Sequence, residues 1–209
     1  MKNKTAVQEA LKKHPFDGIV IRGSKAPIGD VKNNITVSFS SAIIEYYIPA
    51  WNEIDAPKGI KMLALIMAQK EGFEKGTRSF KHNNPGNIGN TDSGANVTYP
   101  TLKAGIEKQI KFLTDIANGE NKLYPVGKIK TLKPYYSPEI AKNKKTYQLE
   151  PYCPGYVFEP YTGRLDQFIK IYSTGARQKN TYLSLIVSYF KNMGYDISEA
   201  TTLKELLEL

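Results

Sequence analysis

QKEGFEKGTRSFKHNNPGNIGN, residues 69–90, follows an apolar run, reaches a carboxylate at Glu71, and then turns to glycines, small polar residues and an Asn-Asn-Pro-Gly-Asn segment. Just upstream, Ile60, Met62, Leu63, Ala64, Leu65, Ile66, Met67 and Ala68 are apolar almost all the way round a helix. A helix without a polar face is a buried, central one. Asp55-Ala-Pro57 supplies a cap-then-proline start and Gly72 a stop. Glu71 therefore falls on the last turn of a rod held by the core, with a loop-forming segment directly beneath it.

Other helices can be read outward from this one. Thr101 opens a helix with Leu102, Ile106, Ile110, Leu113 and Ala117 on one face, ending at Gly119. Leu165, Phe168, Ile169 and Tyr172 repeat that spacing. Asn180 is placed to cap a helix through Leu183, Ile186, Val187 and Phe190 to Gly194, and Thr202 with Glu205 forms a capping box for a last helix. Thr5 and Gln8 have capping-box spacing for a short helix over residues 4–13. The segments 18–22 and 34–40 have strand character, with turn residues Gly29-Asp30 and Asn33 between them. These features predict an α+β, mainly helical protein. Residues 1–50 form an N-terminal accessory segment of a helix plus short strands, and residues 51–209 form the main domain. Seven tyrosines and six prolines crowd the stretch from Tyr124 to Tyr161. That stretch is too long for an ordinary connection and is expected to be an inserted lobe or arm, at about 120–161.

Composition narrows the function. The chain of 209 residues is 41% hydrophobic and 23% charged, the balance of a globular protein with a core. No apolar run is long enough for a membrane span, and the basic N-terminus has no apolar stretch behind it, so no signal peptide is expected. Twenty-nine basic against twenty acidic residues give a net charge of +9, which favours a polyanionic partner. The lysines are scattered rather than striped along one helix, so nucleic acid is not expected. One cysteine, Cys153, excludes an internal disulfide. Two histidines, His14 and His82, without paired metal-ligand spacing, imply no metal and no cofactor.

A carboxyl at the end of a buried helix is partly desolvated and faces the negative end of the helix dipole, and both effects favour its protonated form. A carboxylic acid that keeps its proton near neutral pH suits the protonation of a glycosidic oxygen. The polar loop beneath it can offer amide donors and acceptors to sugar hydroxyls and N-acetyl groups.

Several segments occur in a telling order. Gln69 and Glu71 end a helix, Ser79 and Asn83-Asn84-Pro85-Gly86-Asn87-Ile88 follow, and Tyr99-Pro-Thr-Leu-Lys-Ala-Gly105-Ile106 leads into a helix. Leu165–Tyr172 and Asn180-Thr-Tyr182 close the set. Together they resemble the lysozyme-like superfamily, in the branch of phage-type peptidoglycan glycosidases, glucosaminidases and lytic transglycosylases. The resemblance covers about residues 57–118 and 162–194. It implies a lysozyme-like fold in which a buried central helix ends at the catalytic glutamate, with residues 88–99 as the small β-element and Asn90-Thr-Asp92-Ser-Gly94 as its turn. It assigns Glu71 as acid/base and Tyr182 as a catalytic partner orienting the acid or the sugar. Gln69, Ser79, Asn83, Asn84, Asn87, Ile88 and Tyr99 become substrate-binding residues. The implied partners are peptidoglycan glycan strands and phage virion proteins. The implied place of action is the host cytoplasm and then the cell wall, or the virion.

Glycosidases that use water or a covalent intermediate pair two carboxyls. Glu74 reads as a surface charge here and Asp92 as a turn former, so a single-glutamate mechanism is favoured. Lytic transglycosylases, which the sequence resembles, need only one acid/base because the muramic C6 hydroxyl is the internal nucleophile. The competing reading is a virion structural or wall-binding component that keeps the fold with little catalysis. A cysteine peptidase reading is disfavoured because Cys153 follows both histidines.

Overall fold

The structure, a computed structural model, describes residues 19–21, 27–30, 35–90, 95–124, 126, 161–173 and 176–209. The helix expected over residues 4–13, Asp92, Cys153 and the body of the Tyr/Pro-rich insertion lie outside them. The described part is mainly helical. Strands β1 (Ile19–Ile21), β2 (Pro27–Asp30) and β3 (Ile35–Ser38) make an antiparallel sheet in the order β1-β2-β3. Gly29 and Asp30, expected as turn residues, instead lie in the middle strand. Gly29 is paired with Val20 on one side and Thr36 on the other. Pairing along both edges outweighs the low strand preference of Pro27-Ile28-Gly29-Asp30.

The sheet leads into α1 (Ile43–Tyr47), wound as a π-helix, and α2 (Ile48–Asn52). Ile43, Tyr47, Ile48 and Trp51 are fully buried. The division between residues 50 and 51 therefore falls within α2, whose residues belong to the same core as the helices after it. The sequence shows no such helix because Ile43-Ile44-Glu45-Tyr46-Tyr47 is rich in β-branched and aromatic residues. Burial overrides that local preference.

At the centre runs α3 (Lys58–Lys70), with every residue from Gly59 to Ala68 buried. Each large apolar side chain removed from water there contributes roughly 1.5–3 kcal/mol. Pro57 occupies the N-cap position with no side-chain cap, and its carbonyl accepts from Lys61 N at 2.9 Å. Asp55, expected as the cap, does not serve as one; the helix starts one residue past the proline. Lys61 is buried too. Its Nζ donates to Ile54 O at 2.6 Å and lies 4.6 Å from the Trp51 ring centre, while Trp51 Nε1 donates to Lys61 O at 2.8 Å. Burial holds this amine below its ordinary range, with Asp55 acting in the opposite direction.

Around α3 pack α1, α5 (Leu102–Ala117), α7 (Ala176–Asn192) and α8 (Leu203–Leu207). Short α4 (Arg78–Lys81) follows α3, and α6 (Leu165–Tyr172) packs on α7. Thr101 caps α5 by accepting from Ala104 N, as its sequence suggests. Thr202 and Glu205 form the expected capping box on α8. Asn180, however, lies inside α7 rather than at its cap. Ala176-Arg-Gln-Lys ahead of it are strong helix formers, and one asparagine opposes them only weakly. At the two ends of the stretch expected as an insertion, Tyr124 and Tyr161 are both buried, with ring centres 5.9 Å apart.

Candidate active site

The end of α3 is built to deliver Glu71. Gly72 adopts φ +70°, where a side chain would be strained. Its N–H bonds to Gln69 O at 3.2 Å and Phe73 N–H bonds to Ala68 O at 3.0 Å, the paired bonds of a Schellman stop. Phe73 is buried against Tyr47 and Phe80. Ser40 N donates to Gln69 Oε1 at 2.8 Å and Ser40 Oγ to Phe73 O at 3.0 Å. The chain before α1 thus clamps both sides of the turn that carries Glu71.

Beneath it, the loop 82–90 is held by its own asparagines. Asn83 and Asn87 take φ values of 50° and 51°, a region that asparagine tolerates better than most residues. Asn84, wholly buried, accepts from Ile88 N at 2.9 Å and donates to Ile88 O at 3.0 Å and Val97 O at 3.3 Å. Asn83 Nδ2 donates to Tyr99 O at 3.0 Å, and Tyr99 N donates to His82 O at 3.0 Å. Helix α5 presses on the loop from behind. A Cβ on Gly105 would lie 1.7 Å from Asn83 O, and one on Gly86 would lie 2.8 Å from Gln109 Nε2. Buried Gln109 in turn donates to Ala64 O on α3 at 3.0 Å and accepts from Tyr47 OH at 3.1 Å. From the other side, Tyr172 OH donates to Gly86 O at 2.5 Å.

Asn87 and Tyr182 meet at the carboxyl. Asn87 Nδ2 donates to Glu71 Oε2 at 3.0 Å, and Tyr182 OH donates to Glu71 Oε1 at 3.1 Å. Burial raises the Glu71 pKa above its ordinary 4.5. The two hydrogen bonds and the neighbouring Lys70 charge oppose that rise without cancelling it. The site therefore shifts Glu71 toward the protonated acid while still offering donors to the carboxylate formed after proton release, which suits a group that gives and then takes a proton. Burial, with the Tyr172 and Glu71 neighbours, holds the Tyr182 phenol well above its ordinary range, so it stays a neutral donor.

The other candidates stand in different positions. Gln69 accepts the Ser40 N–H described above. Ser79 is buried, with Oγ 3.4 Å from Gly72 O and 3.1 Å from Thr77 Oγ1, so it braces the turn after Glu71. Ile88 is buried behind the loop, and Tyr99 is half-buried with its backbone tied to His82 and Asn83. Glu74 accepts from Ser41 Oγ at 3.2 Å, on the side of the turn that faces α1. The β-element expected over 88–99 has no strand in its described parts, 88–90 and 95–99. Asparagine side chains take the place of a partner strand there: Asn90 Oδ1 accepts from Val97 N at 2.9 Å and Asn84 bonds Val97 O.

Three residues near the carboxyl escaped the sequence reading. Asn90, read as a turn former, donates Nδ2 to Asn87 Oδ1 at 3.0 Å. Tyr172, read as one of a helix's apolar positions, grips Gly86 and packs edge-on against Tyr182 at 5.9 Å. Lys70 places its Nζ 5.7 Å from the Tyr182 ring centre. Only the density of asparagines between residues 83 and 90 hinted at the first. No family model matches the chain, and neither does any curated protein or solved structure.

Proposed function

We propose that the protein cleaves the glycan strands of peptidoglycan, with Glu71 as the single general acid/base on a lysozyme-like fold, acting as a phage or virion-associated lysin. The observation that carries this reading is the Glu71 carboxyl itself. It is partly buried at the end of the core helix, displaced toward its protonated form, and held between Asn87 Nδ2 and Tyr182 OH.

In the forward step the protonated Glu71 gives its proton to the glycosidic oxygen as the C1–O bond breaks, leaving oxocarbenium character at the muramyl C1. The carboxylate, steadied by the two donors, then takes a proton from the attacking hydroxyl. Glu71 is the one carboxylate held by Asn87 and Tyr182 among the described residues, and with it acting alone that hydroxyl is the muramyl C6–OH, whose closure onto C1 gives a 1,6-anhydro end. The net charge of +9 supports adsorption to anionic wall polymers.

Glu71→Gln should abolish clearing in a peptidoglycan zymogram while the fold persists, and retained clearing would remove Glu71 from its role. Mass spectrometry of the fragments separates the two chemistries: anhydro ends mark transglycosylation, whereas reducing ends with added water mark hydrolysis. A folded wild-type protein that binds walls but never clears them would favour a wall-binding component instead.

A further inference from the structure

We propose that Asn90, outside the carboxyl's own contacts, is a positioning residue that fixes which end of the Asn87 side-chain amide faces Glu71. This rests on the glycosidase reading for its consequence in catalysis, but not for its geometry. The two ends of an asparagine amide have nearly the same shape, and only their partners decide which is which. A backbone N–H is a donor without ambiguity. Val97 N–H meets Asn90 at 2.9 Å, so the atom it meets is Oδ1. Asn84 supplies a second reference. Its Oδ1 is fixed by Ile88 N–H at 2.9 Å, so its Nδ2 is the end that reaches Asn90 Oδ1, at 3.4 Å. With Oδ1 so engaged, Asn90 can present only Nδ2 to Asn87, at 3.0 Å. Asn87 must answer with Oδ1, which leaves its own Nδ2 for Glu71 Oε2, at 3.0 Å. The polarity of one peptide N–H is thereby passed through two side chains to the carboxyl.

The consequence concerns where the acid's proton can sit. Asn87 Nδ2 has no acceptor capacity, so Oε2 is kept as the receiving oxygen and the proton is directed elsewhere on the carboxyl. A reversed Asn87 would put its carbonyl against Oε2 and bind the proton there, in a hydrogen bond that a substrate oxygen would have to break. Asn90→Asp is nearly isosteric but offers acceptors only. Val97 N–H is still satisfied, and Asn87 must reverse to give its donor to the new carboxylate. Asn90→Ala removes the constraint without adding charge.

The test is a carbon-13 NMR pH titration of the Glu71 side-chain carboxyl, assigned by its loss in Glu71→Gln, alongside the pH profile of peptidoglycan clearing. Reversal of Asn87 replaces a donor to the carboxylate by a carbonyl and should raise the Glu71 midpoint by about one pH unit in Asn90→Asp, with a smaller rise in Asn90→Ala, where Asn87 is free to turn either end and the protonated acid gains the carbonyl as a partner. The deprotonation limb of the clearing profile should move with it. A loop that was merely loosened would lower activity at every pH and leave the midpoint in place. In an Asn87→Ala background, Asn90→Ala should shift the midpoint no further, because its only route to Glu71 is gone. Unmoved midpoints, or shifts that add in the double variant, overturn the proposal. Shifted midpoints in a protein whose clearing survives Glu71→Gln would leave the relay standing and remove the glycosidase reading.

Discussion

The two ends of α3 are secured in opposite ways. At its start, Gly59 lies directly beneath the backbone of α8, where an added Cβ would come within 2.3 Å of Leu206 O. Fully buried Leu203 and Leu206 complete that apolar contact. At its finish, the close approach is made by α5 instead: Gly105 presses on Asn83 O, and a web of asparagine hydrogen bonds surrounds the emerging carboxyl. Apolar packing tolerates small slides, because dispersion and burial have little directionality. A hydrogen-bonded amide web does not, because its energy falls steeply with angle and an unpaired buried amide is costly. At the start the helix-to-helix contact is apolar and the polar bonds go to Lys61, whereas at the finish side-chain amides bond one another and the carboxyl, the arrangement that the glycosidase proposal needs for a proton held at a fixed point.

This contrast can be broken most severely at Glu71. Glu71→Gln should cut wall-clearing rate by about 10²–10⁴-fold, the usual contribution of a general acid/base, with circular dichroism unchanged. Gly105→Ala comes next. The added methyl cannot fit against Asn83 O, so the loop must shift, lowering stability by about 3 kcal/mol in denaturant melts and displacing Asn87 from the carboxyl. Tyr182→Phe removes one donor from the carboxylate and should slow clearing roughly tenfold to a hundredfold, with little change in substrate KM.

Gly59→Ala is the matching lesion at the other end. There α8 is five residues long and can move as a unit, so a loss of about 1 kcal/mol is expected, with activity per folded molecule retained. Equal activity losses from Gly59→Ala and Gly105→Ala would erase the distinction between the two ends. The smallest effect is on pH dependence. The native state binds the Glu71 proton more tightly than the unfolded chain, because burial raises its pKa above 4.5. Stability from this group is therefore full below that value and is lost as pH rises through the raised native value. Glu71→Gln should accordingly melt higher than wild type at neutral pH, and the gap should close in acid.

Much of this contrast was written locally. All-round apolar residues from Ile60 to Ala68 announced a buried rod, Gly72 its stop, and Thr101 and Thr202 their caps, because periodicity and capping are decided within a few residues. The position of Glu71 followed from the same pattern. What could not be read depends on partners distant in the chain. Tyr172 meets Gly86 across 86 positions, and Tyr182 meets Glu71 across 111. The described parts of residues 88–99 hold no strand, and asparagine side chains satisfy the Ile88 and Val97 backbones there. The burial of α1 and α2 was hidden for a related reason: the residues that bury them are supplied by other helices, α3 next in the chain and α5 some fifty residues on.

Tyr124 and Tyr161 carry a separate consequence. Their rings meet at a tilt, 56° between planes, at the two ends of the tyrosine- and proline-rich stretch, and Tyr124 links the pair to the aromatic row running through Phe168 to Tyr172. The two ends of that stretch therefore already meet within the described core. Since the entropy of closing a loop changes only slowly with its length, a shorter chain between Tyr124 and Tyr161 should still let the helical body assemble around the same row of rings, which a denaturant melt of such a deletion would check.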